Sequence, residues 1–274
     1  MITREQIKSG ASKPTLKILA SGPAGSGKTY LGFTFPKIAY LCTEPNGLDT
    51  ARSNPKLIDN LVWADEFLPK EIVQDEKGVV QLVKQGEEIV SEPISSTFIR
   101  LDKAIEQAHK DYAEGKVETL FVDNGTFLIE NRWIYINRHE AIKTAQGALD
   151  TRGMYGILGR WAYKWVITKL LSFPGNVVMT THEQTEGEEA MAHKTDKSMT
   201  ISPALLGGIR NEIGGMFSAH IFLEKRRKGE NAYEYWARCQ KGANREAKNR
   251  YNLPEWVQSV SYQAILDSMG KGVK

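Results

Sequence analysis

The sequence predicts an α/β fold with a mainly parallel central sheet and helices on both faces, together with a small charged insertion. Three observations carry that expectation. Short apolar runs rich in Ile, Val, Leu and Tyr recur along the chain, stretches of helical spacing separate them, and the first run leads straight into a glycine-rich turn.

In chain order, residues 1–14 are polar, contain Gly10 and Pro14, and read as a flexible arm. "LKILAS" (16–21) is the first buried strand, with a helix from about Lys28 to Phe35 behind the glycine-rich turn. "KIAYLCTE" (37–44) is a second apolar run with Tyr and Ile, expected as a parallel neighbour of the first strand. "EIVQDEKGVVQLVKQGEEIVSEPIS" alternates and carries Gly at turn positions, which suggests a charged hairpin or insertion over about 65–96. In "STFIRLDKAIEQAHKDYAEGK" the apolar residues Phe98, Leu101, Ile105 and Ala108 keep helical spacing, with Ser95 to Thr97 as caps. "VETLFVDN" is the third strand. A long helical region covers about 126–172, broken around "LDTRGMYGILG". "NVVMTTHE" (176–183) is the fourth strand, followed by the polar loop "EGEEAMAHKTDKSMTIS", a helix "PALLGGIRNEIGGMF", and the strands "AHIFLEK" and "YEYWARCQ". The main domain is expected over 15–255, with a C-terminal segment over 256–274.

Composition sets bounds. A chain of 274 residues with 25% charged and 41% hydrophobic residues suits one large globular α/β domain. A net charge of +3 is too small to mark a nucleic-acid binder by itself; only clustering could. Cys42 and Cys239 fit no metal spacing and read as reduced thiols. No stretch reaches the ~18 apolar residues of a membrane span, and the first residues lack the apolar segment of a signal peptide. A cytoplasmic location and no membrane partner are the expectation.

"SGPAGSGKTY" fits G-x-x-x-x-G-K-[ST], with Gly22, Gly27, Lys28 and Thr29 in the fixed places. Glycines let successive N–H groups curl round an anion, and the helix that follows adds partial positive charge. Gly22, Pro23, Ala24, Gly25, Ser26, Gly27, Lys28, Thr29 and Tyr30 are the candidate nucleotide-binding residues. Lys28 would reach the outer phosphates and the Thr29 hydroxyl would ligate Mg²⁺. An ordinary Gly-rich turn is the competing reading, but a strand before and a helix after supply the context the motif needs.

A phosphate loop needs a carboxylate for the metal, and Asp123 ends the apolar run "TLFVD". The next residue is Asn124. Many AAA-type ATPases carry a water-polarising Glu there, so the base must come from elsewhere. Glu44 ends the second strand and could orient water for in-line attack; an exposed Glu in a turn before Pro45 is the alternative. His182 and Glu183 end the fourth strand, where His182 would sense the γ-phosphate or simply cap a strand. "HEQTEG" is not H-E-x-x-H, which argues against zinc.

Together these residues resemble the RecA-type recombinase core. That family places its catalytic Glu in a stretch of the form E-x-x-x-L-D, as "EPNGLD" (44–49) reads here. Its metal Asp precedes a small polar residue, as in "LFVDNGT", and its polar sensor opens a DNA-contacting loop, the place of His182 and residues 184–202. More narrowly, "TFP" (34–36), "THE" (181–183) and "SPALLGG" (202–208) resemble phage-encoded, core-only RecA-like ATPases that act as single-strand annealing proteins. The resemblance covers about 15–255. It implies a RecA-like P-loop core using ATP and Mg²⁺, with Lys28, Glu44 and His182 catalytic and Thr29 and Asp123 on the metal. It also implies activity stimulated by single-stranded DNA, assembly into a ring or filament, and possible contact with a single-strand-binding protein. The chain departs from RecA itself at His182, where RecA has glutamine, and in the 65–96 insertion.

Such assemblies bring basic residues to a neighbour's γ-phosphate. Lys225, Arg226, Arg227 and Lys228 in "EKRRKGE", with Lys241, Lys248 and Arg250 further on, are the candidates for that role or for nucleic-acid phosphates. A solvated charged turn is the alternative. Trp133, Tyr135, Arg138, Tyr155, Arg160 and Trp161 mix aromatics with charge, as single-strand binding requires, although helix-face aromatics also build cores. Two rival functions stand beside this one: another DNA motor, such as a helicase loader or packaging ATPase, and a small-molecule kinase.

Overall fold

The computed structural model describes residues 14–44, 47–67, 72–74, 80–82, 94–185, 201–206, 208–229, 232–242 and 247–272. The strands are β1 (Lys17–Ser21), β2 (Ile38–Cys42), β3 (Leu61–Glu66), β4 (Ile72–Gln74), β5 (Val80–Leu82), β6 (Thr119–Asp123) and β7 (Asn176–Thr181). They continue as β8 (Glu183–Thr185), β9 (Ile201–Pro203), β10 (Ala219–Arg227), β11 (Tyr233–Arg238), β12 (Lys248–Asn249) and β13 (Trp256–Gln258). The helices are α1 (Lys28–Phe33), α2 (Asp49–Ser53), α3 (Pro55–Ile58), α4 (Ile94–Ala113), α5 (Gly125–His139), α6 (Thr151–Trp165), α7 (Ile209–Met216) and α8 (Tyr262–Ser268).

One sheet organises the molecule in the order β13-β11-β10-β1-β7-β6-β2-β3, with β12 paired to β10. From β10 to β3 every pairing is parallel, while β11, β12 and β13 join antiparallel. β2, β6 and β7 are buried along their whole length, so they read as continuous apolar runs and need cover on both faces. One face packs Leu19, Val122, Val177 and Met179 against α4, α5, α6 and α7. The other packs Ile18, Phe121, Val178 and Ile221 with Leu31 of α1, Ala51 of α2, Leu57 of α3 and Ile265 of α8. Each large apolar side chain fully buried here contributes roughly 1.5–3 kcal/mol. An unpaired carboxylate in the same interior would cost more than several of them return, so any polar group at these strand ends needs partners.

Several expectations change. β2 does not lie beside β1, because β7 and β6 intervene. β3 was not anticipated as a strand: it is an edge strand with alternating half-exposed and exposed residues, and its last two residues overlap the expected insertion. Within that insertion β4 and β5 form an antiparallel hairpin; most of its remaining positions lie outside the described residues. Ser95 to Thr97 do not cap α4, which already begins at Ile94.

The long helical region breaks at 140–150, earlier than the glycines suggest. Asp150 caps α6 by accepting from the Gly153 amide at 2.9 Å, so Gly153, Gly156 and Gly159 all lie inside the helix, which continues as a π-helical turn at Val166–Leu170. The helix expected from Pro203 starts only at Ile209, because Ile201–Pro203 pairs with Glu183–Thr185. The segment over 256–274 adds β13 to the sheet and Ile265 to the core. Residues 1–13 of the N-terminal arm and residues 186–200 of the polar loop fall outside the described residues.

Candidate functional site

After β1 the chain passes over two strand positions before it pairs again, and crevices for ligands open at the carboxyl ends of strands where connections diverge in this way. Here the ends of β1, β2, β6 and β7 carry the phosphate loop, Glu44, Asp123 and His182 respectively. Their convergence follows from strand order alone.

The loop has the shape its sequence demands. Gly25 and Gly27 sit at φ 71° and 91°, left-handed conformations that a side chain would strain, and Gly27 caps α1. Lys28 is buried and its ammonium donates to the carbonyls of Gly22 and Pro23 at 2.9 and 2.8 Å. Burial lowers its pKa, opposed by the negative charges of Asp123, Glu44 and Glu183. The buried Ser26 hydroxyl has no hydrogen-bond partner among the described residues. A phosphate oxygen would supply the missing partner, so the loop fits a nucleotide on its own chemistry.

Asp123 is fully buried, and three hydroxyls satisfy it. Thr29 Oγ1 and Tyr40 Oη donate to Oδ2 at 2.8 and 3.1 Å, and Thr180 Oγ1 donates to Oδ1. Burial pushes the Asp123 carboxyl above its usual range despite these donors. A cation held between Thr29 and Asp123 would relieve that cost, which makes this pair the fit for Mg²⁺.

Glu44 lies beside it, its backbone N–H donating to the Asp123 carbonyl at 3.2 Å. Burial works against its charge, but hydrogen bonding from His182 and Asn124 and the charge of Lys28 together hold its carboxyl below the usual range. Asn124 Nδ2 donates to Glu44 Oε2 at 2.5 Å and lies 3.2 Å from His182 Nε2, while His182 Nε2 is 3.6 Å from Glu44 Oε1. Asn124 Oδ1 also caps α5 by accepting from the Phe127 amide. The His182 amide in turn donates to Thr126 Oγ1 at 3.0 Å. A charged carboxylate held this way can accept a proton from water.

Sequence reasoning missed Asn124, Tyr40 and Thr180. Asn124 was read only as a missing Glu, whereas its side chain links Glu44 and His182 across 80 and 58 residues. Tyr40 and Thr180 stand in apolar runs, and their hydroxyls were the available signal: a polar atom in a buried strand must find a partner.

The basic candidates engage their own chain. Arg226 contacts the rings of both Trp236 and Trp256, 4.4 and 4.1 Å from their centroids, where the two rings meet edge to face, and pairs with Glu224. Lys225 sits 3.8 Å from the Tyr233 ring centroid, Lys228 is 3.5 Å from Glu234, and Arg227 Nε donates to the Gly229 carbonyl. Lys248 donates to the Gly215 carbonyl. Arg250 and Lys241 are exposed.

Among the aromatic candidates, Trp133 stacks on Tyr155 at 4.2 Å, and Tyr135 and Trp161 enclose Arg132 together with Phe98. Arg132 was not anticipated; it pairs with Glu140 at 2.8 Å. Nothing is described of the Arg138 side chain. No described helix is long and apolar enough to cross a membrane.

A family model described as an AAA domain matches residues 15–251. No curated protein sequence matches the chain. Among solved structures, a KaiC-like protein from the hyperthermophilic archaeon Pyrococcus horikoshii OT3 aligns over 84% of this chain and 81% of its own, at 13% identity and a TM-score of 0.38. A prototypical ATPase from the type III secretion system of pathogenic bacteria aligns over 76% of this chain and 51% of its own, at 12% identity and a TM-score of 0.43.

Proposed function

The chain belongs to this AAA domain family, and on that premise we propose that it is an Mg²⁺-dependent ATPase that binds single-stranded DNA and promotes annealing as an oligomer. What carries the ATPase part is the meeting of the phosphate loop with Asp123, Glu44, Asn124 and His182 at the carboxyl ends of four adjacent strands. Residues Gly22 to Tyr30 hold the nucleotide, and Thr29 and Asp123 hold the metal, directly or through water. Bound Mg²⁺ supplies charge neutralisation for the β- and γ-phosphates.

Glu44 accepts a proton from the attacking water as the water oxygen bonds to the γ-phosphorus. The bond from that phosphorus to the bridging oxygen breaks, and its electron pair leaves with ADP. Asn124 fixes one oxygen of Glu44 and leaves the other facing His182, so the imidazole reports γ-phosphate contact directly to the base. Lys28 leaves its two loop carbonyls for the outer phosphates.

The DNA-binding part rests on different support. It draws on the resemblance of "THE" and "SPALLGG" to annealing ATPases, and on the aromatic and cationic side chains of α5 and α6. Phosphate release measured with and without single-stranded DNA tests both parts. Release that DNA accelerates supports the whole reading. Release indifferent to DNA keeps the ATPase and favours a loader or packaging motor. Phosphate transfer only with an added small acceptor would replace it with a kinase.

A further inference from the structure

We propose that the cleft between α1 and the β10–β11 hairpin seats the nucleobase of the triphosphate, with Tyr235 and Tyr30 as its stacking surface. This rests on the phosphate-loop reading above and extends it to the other half of the ligand. α1 lies over the sheet with β7 and β6 on one side of its strand and β10 and β11 on the other. The metal end of the triphosphate is fixed at Thr29 and Asp123, on the β6 side. The ribose and base therefore leave the loop towards β11.

Tyr235 waits there. A Cβ added to Gly27 would stand 2.7 Å from the Tyr235 ring, so the aromatic face lies directly against the last glycine of the loop. Tyr30, two residues after the motif's Lys28, stacks on Tyr235 with centroids 6.0 Å apart and planes 26° apart. Admitting a base between the two rings would need roughly 7 Å, twice an aromatic contact distance. The base thus lies against the pair, not inside it.

A cavity of about 380 Å³ opens at that surface, lined by Tyr30, Tyr233, Tyr235, Lys228 and Ser259 among others. Its size falls within the 300–1,000 Å³ typical of small-molecule sites. Its rim also carries Glu234, which lies 3.5 Å from the Lys228 ammonium and accepts from the Ser259 hydroxyl; apolar ring faces beside such a polar rim are what a flat heterocycle with polar edges requires.

The test compares ATP with inorganic tripolyphosphate, both with Mg²⁺, by calorimetric titration of the full chain. Tripolyphosphate uses the loop and lacks the base. The wild type should bind ATP the more tightly, and Tyr235→Ala should weaken ATP by about tenfold to a hundredfold while leaving tripolyphosphate unchanged. Tyr235→Phe should retain ATP affinity. Tyr233→Ala, at a residue 55% exposed and so outside the core, should weaken ATP in the same direction and guards against a Tyr235 variant that does not fold. Equal wild-type affinity for the two ligands, or unchanged ATP binding in both alanine variants, overturns the base site alone. Parallel loss of both ligands assigns Tyr235 to loop shape and also overturns it. Failure of the wild type to bind either ligand overturns the phosphate-loop reading and the base site with it.

Discussion

The two flanks of the phosphate loop use opposite chemistry. On the β6 side the groups are buried or half-buried, anionic and joined by hydrogen bonds through single atoms: Asp123 to three hydroxyls, Glu44 to Asn124. On the β11 side they are cationic and aromatic, partly exposed, and joined by broad contacts such as Arg226 against two tryptophans. A hydrogen bond to a charged buried group is worth about 1.5–3 kcal/mol and depends on sub-ångström placement. A cation over a partly exposed ring is worth about 0.5–1 kcal/mol and tolerates shifts. Rigid strand ends suit bond-breaking; a surface hairpin suits recognition.

That contrast can be broken, starting with the largest effect. Lys28→Ala should cut ATP affinity by roughly a thousandfold or more and abolish phosphate release, since it removes the cation that the loop motif places for the outer phosphates. Glu44→Gln should keep ATP binding in calorimetry yet lower kcat by about 10²–10⁴, the usual contribution of a general base. Full turnover by that variant would move the base elsewhere.

Asn124→Ala should reduce kcat by about tenfold to a hundredfold with KM nearly unchanged, because a hydrogen bond to a charged partner is lost; a change in KM alone would show that Asn124 only shapes the pocket. Mixing Arg227→Ala with Lys28→Ala chains should restore part of the activity if the hairpin acts on a neighbouring subunit, and activity no higher than the sum of the two would confine the hairpin to its own chain. Arg226→Ala should be the mildest, costing about 1 kcal/mol of stability in urea melts with kcat unchanged. A large kcat loss there would erase the distinction between the flanks.

Legibility followed the same divide. The phosphate loop, Asp123 and Glu44 could be located from sequence because each stands at the end of a continuous apolar run, where local pattern fixes position. Asn124 could be numbered but not valued, since its importance lies in atoms 80 residues away. The Arg226 stack depends on cross-strand placement of Trp236 and on β13, neither of which composition reveals. β3 escaped because an edge strand needs burial on fewer sides, and "LVWADE" carries two acids in six residues. The break before α6 was misplaced because glycine was weighed above the Asp150 cap.

The strand order also sets a timetable. β1, which carries the phosphate loop, pairs with nothing near it in the chain: Ile18 meets Val178 on one side and Ala219 on the other. At ribosomal speeds of ~5–20 residues per second, about 10–40 s separate the emergence of the loop from that of its second neighbour. Closing so long a stretch adds its own entropic cost. The nucleotide therefore cannot stabilise an early stage of folding, and nascent chains released before β10 should be unable to bind it. The loop is translated first, yet the strand that carries it is completed only when β10 arrives.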